Sequence, residues 1–138
     1  MSQQSLRGIA RHGLGADFEA DETLKSNLIV EGQLLRDQQQ ADAAAERFAR
    51  AAAIEERLSA SCVEQGLQEK SWLHLFSAAS CWAQAGNFYE AICLGDQLQA
   101  QADLPPRLRQ RVGEFTLVLR QRRRQWAAGL TLTATGPE

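Results

Sequence analysis

Two histidines, three cysteines and a crowd of arginines are the side chains of this sequence that could do chemistry. His12 and His74 are its only imidazoles. Joined to Cys62, Cys81 or Cys93, an imidazole could activate a thiol nucleophile. Nothing in their spacing makes such a pair, which only tertiary folding could assemble. His74 stands between Trp72 and Phe76 and reads as a histidine at the edge of a core. The cysteines are odd in number, widely spaced and without a CxxC pair. That pattern predicts neither a disulfide framework nor a zinc site. Each falls in an apolar helical context and is expected to be a small buried hydrophobe. Glu55 and Glu56 are adjacent, so a helix points them to different parts of its surface. The Gly13–Leu14–Gly15 stretch has no strand before it and does not make a nucleotide loop. HExxH, GxSxG and phosphate-loop patterns are absent. The expectation is a chain without catalysis, cofactor or metal.

The arginines open a different chemistry. Arg120, Arg122, Arg123 and Arg124 crowd beside Trp126, and guanidinium groups suit phosphate and carboxylate. An anion-binding or nucleic-acid face is one reading of them. The chain as a whole weighs against it, with a net charge of -2 and a pI near 5.7. A helix C-terminus would also favour cations there, by about 0.3–1 kcal/mol each. A solvated helix end, or an internal match to acidic Asp17, Glu19, Asp21 and Glu22, is the reading preferred for this cluster.

These groups must be positioned by helices. Residues 1–22 hold Gly8, Gly13 and Gly15 and little apolar periodicity, which predicts an N-terminal arm, partly disordered or docked. A short helix from Ser2 to His12 fits within it. From residue 23 the pattern turns helical, with Thr23 as a cap and Leu24, Leu28, Ile29, Gly32 and Leu35 on one stripe. A polar turn, "RDQQQAD", leads to a second helix ending near Gln65, where Gly66 offers a left-handed stop. The spacing predicts a third helix over 69–84 and a fourth over 88–102. Leu104-Pro105-Pro106 separates the fourth from a fifth over 107–127. Leu108, Val112, Phe115, Leu119 and Trp126 lie near one face of that helix. Residues 128–138, "AGLTLTATGPE", read as a flexible, β-prone tail.

At 138 residues, with 44% hydrophobic and 23% charged side chains, the chain has the composition of one globular domain, placed here at 23–127. No basic-then-apolar leader opens it, and no apolar run approaches a membrane span. A cytoplasmic setting is expected. The alanine content and the use of arginine over lysine hint at a GC-rich bacterial source.

One register recurs. Leu28, Gly32 and Leu35 are spaced as Leu75, Ala79 and Trp82 are. Ala44 follows Gly32 by the interval at which Ala91 follows Ala79, and Phe48 follows Ala44 four residues on. Gly86 and Phe88 occupy the later turn. This register resembles the tetratricopeptide repeat, over residues 25–58 and 72–105. The resemblance implies an all-α fold of antiparallel helix-turn-helix repeats with the fifth helix as a C-terminal cap. Gly32 and Ala79 match the family's small position on the first helix, Ala44 and Ala91 that on the second. It departs in spacing: Ala79 follows Gly32 by 47 positions, where such repeats follow about every 34. Gln39 stands where glycine is usual, and Glu56 replaces a terminal proline.

The resemblance also implies a protein-binding module. The groove would show Ile29, Gln33 and Arg36 from the first unit and Leu73, Phe76, Ser80 and Ala83 from the second. The lysine and asparagine set that holds a chaperone's terminal carboxylate is missing. Leu73 and Phe76 favour an apolar ligand, unless the fifth helix already covers them. The expected function is an adaptor that seats a peptide or helix of another protein, with homo-oligomerisation or anion binding as alternatives.

Overall fold

The computed structural model describes residues 14–135, with side chains described as far as Leu130. The helix expected at Ser2–His12 lies outside them, as does His12. Five helices make up the described residues: α1 Ala16–Asp37, α2 Ala41–Glu64, α3 Gln68–Gln84, α4 Phe88–Gln99 and α5 Pro106–Thr135. The fold is all-α, without a strand among the described residues.

Three of the four connections are the same turn. After α1, α2 and α3, one residue takes a left-handed backbone: Gln39 at φ 62°, Gly66 at 73° and Gly86 at 83°. The next amide reaches back into the helix, Gln40 to Leu35 O at 2.8 Å, Leu67 to Cys62 O at 2.8 Å and Asn87 to Trp82 O at 2.9 Å. These bonds satisfy carbonyls that the helix end would leave open. Asn87 then caps α4 by accepting from the Glu90 amide at 3.2 Å. The fourth connection is irregular and ends at Pro106, the first residue of α5. Arg109 holds it closed, donating to Gln99 O at 2.8 Å and also to Gln101 O.

Side-chain pairs set the order of the layers. Gly32 meets Phe48, and Lys25 meets Glu55, so α1 and α2 run antiparallel. Ser59 meets Ser71 and Glu55 meets His74, which makes α2 and α3 antiparallel as well. Between α1 and α3 the contacts rise together, from Glu22–His74 to Arg36–Gln84. Between α3 and α5 they rise from Trp72–Leu108 to Phe76–Phe115. Helices α1, α3 and α5 therefore lie parallel in one layer, and α2 and α4 form the other. The small residues permit this closeness. A Cβ on Gly32 would sit 2.9 Å from the Phe48 ring, and one on Gly95 2.2 Å from Thr116 Cγ2. Ala44, Ala79 and Ala91 are buried, as are Phe48 and Leu58, each of the last two worth about 1.5–3 kcal/mol in burial.

Both ends depart from the sequence expectation. α1 begins at Ala16 rather than after Thr23, so residues 16–22 are its first turns and not an arm. Phe18 is buried there, edge-on to His74 with ring centroids 5.6 Å apart. One buried aromatic shows no periodicity, which is why the stretch reads as irregular. At the other end α5 continues through 128–135, expected as a β-prone tail. Residues 120–130 of it are all exposed, because α3 and α4 end before they can cover them. Trp126 therefore leaves the packed face that its spacing assigns to it and is 67% exposed. The two hairpin-forming helices of the second layer differ in length, α2 at 24 residues and α4 at 12.

Candidate functional site

Between α3 and α5 runs a groove made of two adjoining cavities of about 520 and 450 Å³. Trp72, Leu73, Pro105 and Leu108 line the first, and Phe76, Ser80, Ala83, Phe115 and Val118 the second. Arg111 and Glu114 border both. All four groove residues expected on α3 are therefore in it: Leu73, Phe76, Ser80 and Ala83. α5 covers them in part. Phe76 packs edge-on to Phe115 with centroids 5.4 Å apart, and the Arg111 guanidinium lies over the Phe76 ring, 5.3 Å from its centroid. Leu73 stays 52% exposed and Val118 45%.

The α1 members behave differently. Arg36 lines neither cavity; it donates at 3.1 Å to Gln84 Oε1, which borders the second, while its guanidinium lies over Phe48. Gln33 is exposed. Ile29 packs against the core cluster that contains Leu58 and Cys81 and does not line the two cavities. Trp82 and Phe88 serve packing: Phe88 lies on Ala91, Ile92 and Leu119, and the Trp82 indole donates to Glu56 Oε2 at 2.8 Å. Glu56 thus has a use that the repeat register does not suggest.

The arginine cluster does not form one face. Arg120 is paired with Asp96 on α4. Arg122 lines the α3–α5 groove, whereas Arg123 and Arg124 line a separate dimple with Arg120 and Ala127. None of them is in the last turn of α5, so the helix-dipole account fails. The internal match to the acidic segment fails too. Asp21 pairs with Arg57 at 3.0 Å, and Glu22 approaches His74 Nε2 at 3.8 Å.

Sequence reasoning missed a buried polar group beneath α1. Glu55 is 1% exposed; His74 Nδ1 lies 2.9 Å from its Oε1, and Lys25 Nζ 3.6 Å. Beside it the Ser59 hydroxyl donates to Ser71 O at 2.9 Å. The signal was present. Ala51, Glu55, Leu58 and Cys62 follow helical spacing, as do Ser71, His74, Ala78 and Cys81, so each buried stripe carries one ionisable residue. Burying either alone would be costly, and each is the other's partner. No buried side-chain nitrogen or oxygen among the described residues lacks a hydrogen bond. The cluster fixes the register of α2 on α3.

The cysteines divide. Cys62 and Cys81 are buried as expected, and Cys93 is exposed. Burial, reinforced by the Glu55 charge, pushes the Cys81 thiol up to about 12. Burial also raises Cys62. Neither presents a thiolate near neutral pH. Among the described residues no three His, Cys, Asp or Glu side chains are grouped to hold a metal ion. Among the same residues no helix is long and apolar enough to cross a membrane. Comparison with protein-family models, curated proteins and solved structures finds no match.

Proposed function

We propose that this chain is a non-catalytic interaction module of the tetratricopeptide type, which seats a segment of another protein in the α3–α5 groove. One observation carries the reading: an open apolar groove whose rims, Leu73 and Val118, stay about half exposed in a layer of parallel helices. Exposed apolar patches set in a concave surface are where partner segments gain burial. Leu73→Asp with Val118→Asp tests the groove. Both side chains are exposed, so the fold should persist by circular dichroism. Affinity capture with mass spectrometry should lose the specific partner. A folded double variant that keeps every partner of the natural chain sinks the assignment.

A second reading rests on the far end of α5. Residues 120–130 are exposed throughout, with Trp126 and Leu130 among them. An isolated helix of this length is marginal in water, so a second copy of the chain is a natural partner for it. Light scattering at micromolar concentration decides, since a strict monomer removes this option.

A further inference from the structure

The arginines of this chain fall into two groups, and the division bears on what the groove holds. Arg47 and Arg50 pair with Glu46, Arg57 with Asp21 and Arg120 with Asp96, while Arg109 is taken up by backbone carbonyls. Arg36, Arg107, Arg111, Arg122, Arg123 and Arg124 make no ion pair among the described residues, and of these Arg111 and Arg122 line the cavity around Ala83. Arg36 lines neither cavity and donates to Gln84, which borders the second. Glu114 is the carboxylate nearest them along α5, and it accepts from the Gln110 amide at 3.2 Å. At the opposite end one arginine, Arg107, and one carboxylate, Glu69, line the cavity around Leu73. A chain of net charge -2 thus carries a groove that is neutral and apolar around Leu73 and positive around Ala83.

We infer that the occupant of this groove is a segment of another protein with an apolar anchor at one end and carboxylates at the other. This rests on the groove reading above and names its partner's chemistry. The anchor fills the cavity of Trp72, Leu73 and Leu108. The carboxylates meet Arg111 and Arg122, where charge-assisted hydrogen bonds to guanidinium are strongest when bidentate. The spacing follows from the helix. Leu73 and Ala83 lie about 15 Å apart along α3 at 1.5 Å per residue. Extended chain covers that distance in about five residues. The groove therefore has a polarity, and it distinguishes a segment from its reversed sequence.

Synthetic peptides test this with the full chain. One carries a Leu-Phe anchor, a neutral spacer of about five residues, set by that distance, and three glutamates. A second replaces the glutamates with lysines, a third with glutamines, and a fourth reverses the order of the first. Fluorescence anisotropy at low and high salt reads binding. The glutamate peptide should bind about tenfold more tightly than the lysine one, weaken with salt and exceed its reversed form. Arg111→Glu with Arg122→Glu should exchange the preference, so that the lysine peptide binds better; circular dichroism checks that this variant folds. Equal binding of the glutamate and lysine peptides, or a preference unmoved by the double variant, overturns the inference. If the glutamine peptide then binds and Leu73→Asp abolishes it, the groove reading survives without the charge. If none of the peptides binds, both fail.

Discussion

At the scale of single residues, the turns offer the sharpest comparison. Gln39 and Gly86 hold the same left-handed backbone, but only glycine does so without cost. A Cβ at Gly86 meets nothing within 4 Å, so the penalty there is backbone strain alone. Gly86→Val should destabilise by about 1 kcal/mol or more, whereas Gln39→Gly should stabilise by about 0.5–1 kcal/mol. Urea denaturation measures both, and a loss of stability in Gln39→Gly would contradict the shared geometry. The thiols give a pH prediction. Cys81 rises from 9.0 to about 12 in the folded chain, so its proton is held more tightly there than in the unfolded one. That contribution is complete below pH 9 and lost as pH rises from 9 toward 12. Folded protein should lose stability across this window, and Cys81→Ala should flatten the loss. At neutral pH a thiol reagent should label Cys93 fast and the other two only on unfolding. At this scale the small residues and Gly86 were legible in the sequence. The Glu55–His74 pair was not, because a stripe read for apolar content passes over a polar residue whose partner is on another helix.

Among the elements, α2, α3 and the start of α4 follow from apolar periodicity and their glycine or polar turns. The outer boundaries do not. α1 starts early on the strength of Phe18 alone, and α5 runs on through threonines that favour strand locally. A helix without neighbours has no stripe to announce it. The groove was half legible for the same reason. Its α3 side follows the repeat register, but its α5 wall, with Arg111, Phe115 and Val118, depends on how closely α5 docks. That closeness hangs on Gly95, whose added Cβ would lie 2.2 Å from Thr116 Cγ2. Gly95→Ala gains helix propensity, about 1 kcal/mol, and still should lower stability by about 1–2 kcal/mol through the clash. Thr116→Ser removes the methyl and keeps the hydroxyl that donates to Gly113 O at 3.1 Å. In that background Gly95→Ala should become neutral or stabilising. Additive effects in a double-mutant cycle would show that the two positions do not touch.

Over the whole molecule, charge and packing are unevenly spread. The net charge of -2 conceals a groove lined by Arg111 and Arg122, which make no ion pair among the described residues. Composition excluded a strongly basic surface but could not say which arginines were already engaged. The all-helical class was legible in the sequence; the sense in which α5 leaves the body was not.

Each helix packs chiefly on the helices next to it in sequence, and the packing thins from α1–α2–α3 toward α5. The entropy of closing long loops is thereby avoided, which favours rapid folding from local nuclei. It also means that the chain need not open as one unit. Native-state amide exchange should show a gradient, slowest in α2 and α3, faster in α4, and fastest in α5 beyond Leu119. Uniform protection across all five helices would contradict it. The groove lies on this gradient, with one wall in α3 and the other in the more thinly packed α5. An occupant bridging α3 and α5 would then be felt mainly as slower exchange along α5.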